Sequence, residues 1–153
     1  MKRHRLGIVV LLATGAVLAL SSCGGSGSNT KPLSKAELAV QANKICAQYN
    51  KKLNAVPTPT SKADYSKAFA QVADLAVARA AELKKLAPPS DEKTAYQQYL
   101  KVEDEQIQRI RDLGSAYQKG DTAKIGEITL AGNAADKTTN TLLGQIGANT
   151  CAK

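Results

Sequence analysis

The chain has 153 residues, 21 Lys and Arg against 13 Asp and Glu, a formal net charge of +8, and no Trp. Its one His is His4 and its one Met is Met1, so the body of the chain has no imidazole base, no His-ligated zinc, no Met-lined copper site and no His/Met-ligated haem. A ferritin-like di-metal centre, which needs Glu-x-x-His pairs, is excluded on the same ground.

Lys2, Arg3 and Arg5 open the chain, and the run from Leu6 to Leu20 carries no charged residue. A basic start, a short apolar stretch and small residues before a cut site are the marks of a secretory signal peptide. The apolar run falls short of the ~18–20 residues that a membrane-spanning helix needs. Leu20-Ser21-Ser22-Cys23 closes it with the pattern of a lipobox: an aliphatic residue, two small ones and a cysteine. The expectation is that Cys23 is joined to a diacylglycerol and that the chain is cut before it. Palmitate-like acyl chains, at ~0.8 kcal/mol per buried CH₂, would then hold the protein durably on the extracytoplasmic face of the cell membrane. The competing reading is an ordinary secreted protein in which Cys23 is incidental.

Three segments follow: residues 1–22 as signal peptide, 23–33 as acylated Cys and spacer, and 34–153 as a helical domain. Gly24-Gly25-Ser26-Gly27-Ser28 has the composition of a flexible coil. Removal of residues 1–22 takes away three basic residues and no acidic one, which leaves 18 against 13, a net +5. Moderate positive charge outside the cell points to an envelope protein or to anionic lipid or wall polymer as partner, and nucleic acid is not expected there. Cys46 and Cys151 then remain as an even pair in an exported domain, which predicts a disulfide.

Ser34-Lys35-Ala36-Glu37 reads as a capping box that opens a first helix. Leu38, Ala42, Ile45, Tyr49, Leu53 and Val56 form its apolar stripe, and Lys44, Lys51 and Lys52 fall on the other side. Pro57 and Pro59 stop it. A second helix opens at Thr60 or Ser61, with Tyr65, Phe69, Val72, Ala76, Leu83 and Leu86 inward and Arg79 near the edge. Pro88-Pro89 ends it, and Ser90-Asp91-Glu92 is expected to cap a third helix. Its stripe runs Tyr96, Tyr99, Val102, Ile107, Ile110, Leu113 and Tyr117, with Gly120 past its end. Asp121 caps a fourth helix carrying Ile125, Ile128, Ala131, Ala135, Leu142 and Ile146. Gly126, Gly132 and Gly144 weaken this last helix, leave it open to a kink or break near 132 or 138, and are read as small residues for a close neighbour.

Four stripes, short connections and no strand signal predict an all-α, up-down-up-down four-helix bundle. Ile45-Cys46-Ala47-Gln48-Tyr49, Pro57-Thr58-Pro59, Leu83-Lys84-Lys85-Leu86-Ala87-Pro88-Pro89, Lys119-Gly120-Asp121 and the terminal Cys151, in that order, resemble small helical lipoproteins of actinobacteria. The resemblance covers about residues 36–151, implies a two-cysteine helical domain, and carries over no catalytic residues.

Glu103-Asp104-Glu105 and Asp112 read as a solvated face, since consecutive helix residues point apart and cannot form one ligand set. Lys84-Lys85 and Lys51-Lys52 sit near helix C-termini, where cations offset the dipole, or else form a surface for an anionic partner. Phe69, Tyr96, Tyr99 and Tyr117 are the candidates to line a pocket between helices. No catalytic residue, metal site or cofactor is expected. The function expected is a non-catalytic, membrane-anchored binding module of the cell envelope. The alternative is a carrier or sensor that holds a small apolar ligand between the helices.

Overall fold

The computed structural model describes residues 31–152; Cys23 and the Gly/Ser spacer lie outside them. Helices α1 (Lys35–Asn54), α2 (Lys62–Leu83), α3 (Lys93–Lys119) and α4 (Thr122–Ile146) follow one another, and there is no strand among the described residues. A 3₁₀ turn at Ser90–Glu92 precedes α3, and another at Asn149–Ala152 follows α4.

Local chemistry sets the helix ends. The Ser34 hydroxyl accepts the Glu37 N–H at 3.3 Å, and the Glu37 carboxylate accepts the Ser34 N–H at 2.8 Å, which completes the capping box. The Ser34 N–H and, next to it, the Ser34 hydroxyl donate to the Glu37 carboxylate and hold it below its ordinary range. Ser61 caps α2 in the same way through Asp64 N–H, at 3.2 Å. The expected cap at Ser90 is not formed. Its hydroxyl donates to Asp91 at 3.2 Å, while Glu92 N–H bonds Pro89 O, and the chain makes a 3₁₀ turn before α3 begins without a side-chain cap. Gly120 adopts φ +71°, where the Gly120 and Asp121 N–H groups close α3 onto Tyr117 O and Ala116 O. Asp121 then accepts Lys124 N–H at 3.0 Å and starts α4 at once.

Helix α4 runs unbroken through the positions where a kink was expected. The Thr129, Thr139 and Thr141 hydroxyls each donate to a carbonyl one turn back, at 2.8–3.0 Å, so their polar groups are satisfied inside the helix. Gly126, Gly132 and Gly144 do not serve close packing: a Cβ on any of them would meet nothing within 4 Å. The tight approach is at Gly114 instead, where a Cβ would stand 2.9 Å from Phe69 Cβ. Ala131, expected inside, is exposed; Leu143 and Thr139 are buried on that helix.

The helices alternate in direction. Helix α2 lies along α3 and α3 along α4, while α1 packs chiefly on α2 and meets α4 mainly through the C-terminal turn. The largest core gathers at one end: Leu38, Ala42, Leu83, Tyr96, Tyr99, Leu143 and Ile146 surround the Cys46–Cys151 disulfide, whose Cα atoms are 5.0 Å apart. A thinner core of Ala76, Ala80 and Ile107 continues along the bundle. Cys46 is fully buried and Cys151 nearly so.

The bridge joins positions 105 apart in sequence. Reduction, or Cys46→Ala together with Cys151→Ala, is expected to lower the unfolding free energy by about 4 kcal/mol. Urea unfolding of the oxidised and reduced chain measures this directly; equal midpoints would refute it.

Candidate functional site

Two polar side chains of α1 prepare the seat of the disulfide. Asn43, Cys46 and Asn50 fall at i, i+3 and i+7, on one face of α1. Asn43 donates to Gly147 O at 3.0 Å and accepts Thr150 N–H at 2.8 Å, while Asn50 donates to Thr150 O at 3.0 Å. The side-chain amides thus satisfy backbone groups that the end of α4 leaves open. Gly147 itself sits at φ +73°, and a Cβ there would lie 3.1 Å from Ala39 Cβ.

One turn deeper, α2 and α3 share a buried charge pair. Arg79 Nε donates to Glu103 Oε1 at 2.8 Å, and Arg79 Nη2 pairs with the same oxygen. Glu103 is 2% exposed and Arg79 9%, so Glu103 departs from the solvated face expected for the acidic run and Arg79 from the edge position expected for it. Asp104, Glu105 and Asp112 do face solvent; Asp104 pairs with Lys84 at 2.8 Å. A Glu103 carboxylate so deep needs its guanidinium, because desolvation of one unpaired ion costs several kcal/mol.

The four aromatic residues proposed for a pocket divide into two groups. Tyr96 and Tyr99 are buried in the disulfide-end core, with ring centroids 6.2 Å apart. Phe69 and Tyr117 stack with Tyr65 at the far end, Tyr65 on Tyr117 at 4.5 Å and Phe69 on Tyr117 at 5.4 Å. Tyr99 and Tyr117 stand 18 positions apart on α3, about 27 Å of helix, so the four do not form one wall. The Tyr96 hydroxyl donates to Leu83 O at 2.7 Å, whereas the buried Tyr99 hydroxyl has no partner. Burial pushes both phenols well above their ordinary pKa, and the Glu103 charge adds to the effect at Tyr99.

Between α3 and α4 runs an open groove of about 320 Å³, floored by Ile110, Leu113 and Ile128 and edged by Gln106, Arg109 and Asp136. Among the described residues no group of three His, Cys, Asp or Glu is placed to hold a metal ion, and no helix is long and apolar enough to cross a membrane. No protein-family model, curated protein or solved structure matches the chain.

The buried pair and the two phenols behave differently on truncation. Arg79→Leu alone is expected to cost about 3–5 kcal/mol, because it strands a buried carboxylate, and Arg79→Leu with Glu103→Leu should regain most of it; denaturant titration of both variants decides. Tyr96→Phe should cost about 1 kcal/mol, while Tyr99→Phe should be neutral or stabilising, since only the first loses a hydrogen bond. Both phenols have raised pKa values in the fold, so their contribution is intact below about pH 10, the ordinary phenol value, and is lost as pH rises above it. Tyr99→Phe should therefore flatten the alkaline fall in stability, read as the melting temperature against pH.

Proposed function

We propose that this chain is an exported lipoprotein, anchored through Cys23 on the extracytoplasmic face of the cell membrane, whose helical bundle serves as a non-catalytic binding module of the envelope. The observation that carries the reading is Leu20-Ser21-Ser22-Cys23 at the end of an uncharged run after three basic residues. A buried disulfide between the two other cysteines supports it, because such bridges persist in oxidising compartments. The site chemistry supports the module over an enzyme: the buried charges of Arg79 and Glu103 are spent on each other, and Asn43 and Asn50 clamp the C-terminal turn. Packing supports it over a carrier of an apolar ligand, since Tyr96 and Tyr99 fill the core and the open space lies in surface grooves.

In this reading the disulfide end of the bundle stands nearest the lipid. Leu33 N–H bonds Ala87 O at 2.8 Å and Lys35 pairs with Glu92 at 2.6 Å, which fixes where the chain enters the domain. The spacer of roughly eight residues after Cys23 allows ~15 Å of reach by coil scaling.

Membrane fractionation of cells that express wild type and Cys23→Ser tests the anchor. Wild type should sediment with membranes and leave only with detergent, with an intact mass raised by acyl chains. Cys23→Ser should lose both properties. A variant that still fractionates with membranes at an unmodified mass would end the lipoprotein reading.

A further inference from the structure

The topology collects the C-terminal end of α1, the N-terminal end of α2, the α3–α4 turn and the first turns of α4 at the end of the bundle opposite the point of chain entry. Charge is divided unevenly between the two ends. Residues 47–73 and 108–134, the far half, carry eight Lys and Arg against four Asp and Glu. The other described residues carry nine of each. The net positive charge of the described domain therefore sits wholly in the far half.

Pairing sharpens the contrast. Of the five ion pairs among the described residues, four lie in the near half, and the far half has Lys124–Glu127 alone. Lys51, Lys52, Lys62, Lys67, Arg111 and Lys119 are exposed and have no carboxylate within 4 Å among the described residues. Three carboxylates of this half make hydrogen bonds elsewhere: Asp64 accepts from the Thr60 and Ser61 hydroxyls, Asp121 caps α4, and Asp112 accepts from Gln108. Helix-dipole compensation accounts for Lys51, Lys52 and Lys119, which stand at C-terminal ends. It does not account for Lys62, the first residue of α2 and at the dipole's positive end, or for Lys67 in the second turn. Lys62 Nζ also reaches across to the α3–α4 turn, 3.2 Å from where a Gly120 Cβ would lie and beside Lys119. Cations that outnumber the acids of their half two to one repel one another in the free protein and are relieved by an anion that spans them.

We infer that this far end is a docking surface for a linear polyanion, a wall or capsule polymer with closely spaced phosphate or carboxylate groups. The cations are spread over the ends of three helices and Arg111 rather than converging in a cup, which suits a chain of charges better than one small anion. Helix α3, at 27 residues, is about 40 Å long, and the near half is electrically balanced. The surface therefore faces away from the lipid rather than onto it. That orientation rests on the anchoring proposed above; the binding itself does not.

The full-length chain in neutral detergent, titrated with fluorescent inorganic polyphosphate and separately with polygalacturonate at about 0.15 M salt, tests this. Binding should occur and should weaken steeply with salt, and the polymer bound more tightly names the anion class. Lys51→Glu, Lys52→Glu, Lys62→Glu and Lys119→Glu together should weaken it by at least roughly tenfold. The matched near-half set, Lys31→Glu, Lys44→Glu, Lys93→Glu and Lys101→Glu, should change it by less than about threefold. Far-ultraviolet dichroism and the intact mass of the bridge verify the fold of both; the same four far-end lysines changed to Gln give a milder version of the loss. Equal losses in the two sets, or no binding by wild type to either polymer, would overturn the inference, as would phosphatidylglycerol-doped micelles that compete as well as polyphosphate charge for charge. Failure of this test leaves membrane fractionation unaffected, and failure of anchoring leaves polymer binding unaffected.

Discussion

The closure of the bundle depends on a short tail held against α1. Helix α4 packs along α3 and touches α1 mainly by way of the turn that follows it. That turn is fastened at three points on one helical face: two asparagine amides and the disulfide between them. Without these contacts α1 would have α2 as its one substantial neighbour, and the bundle would be open on one side. The bridge therefore adds more than chain entropy. It completes the enclosure of Leu38, Ala42, Leu143 and Ile146, which are each fully buried.

The interior is graded along its length. At the bridge end large side chains from all four helices meet, with two tyrosine rings inside them. Farther on, α2 presents Ala73, Ala76 and Ala80, so α2 and α3 approach closely and little apolar volume lies between them. The Arg79–Glu103 pair stands between these regions, and a guanidinium with a carboxylate fills space that alanines alone would leave. A buried pair of this kind contributes little net stability against an apolar replacement, yet it penalises any register in which one partner is stranded. Gly114 sets a similar constraint nearer the far end, where only the absence of a Cβ lets Phe69 come in.

Much of this was legible in the residues, and the reasons differ by element. The Ser34-to-Glu37 box, the prolines after α1 and Gly120-Asp121 are local devices, each acting within a few residues, and each sits where the sequence places it. The four-helix architecture followed from stripes whose period belongs to the helix itself. Ser90 misled because a Ser-Asp-Glu run also suits a 3₁₀ turn, and the backbone after Pro89 takes that form. Glycines in α4 misled because propensity is a weak term beside the packing of Ile128, Leu142 and Ile146 on the same helix. Glu103 was read as solvent-facing from its acidic neighbours, although it stands one turn from both Tyr99 and Ile107 on the inward stripe. Arg79 sits likewise between Ala76 and Leu83. A charge in register with an apolar stripe on each of two adjacent helices was the available signal. The clamping role of Asn43 and Asn50 had no such signal, because their partners are backbone groups about a hundred positions away.

The separation of the two bridged cysteines has a consequence for how the molecule is made. Cys46 leaves the ribosome 105 residues before Cys151, with α2, α3 and α4 still to be synthesised. The bridge therefore cannot form until Cys151 has emerged, and with it the residues of all three later helices. Until then the Cys46 thiol is open to exchange with the thiol of a neighbouring copy, and closure onto Cys151 is what leaves both sulfurs buried in the core.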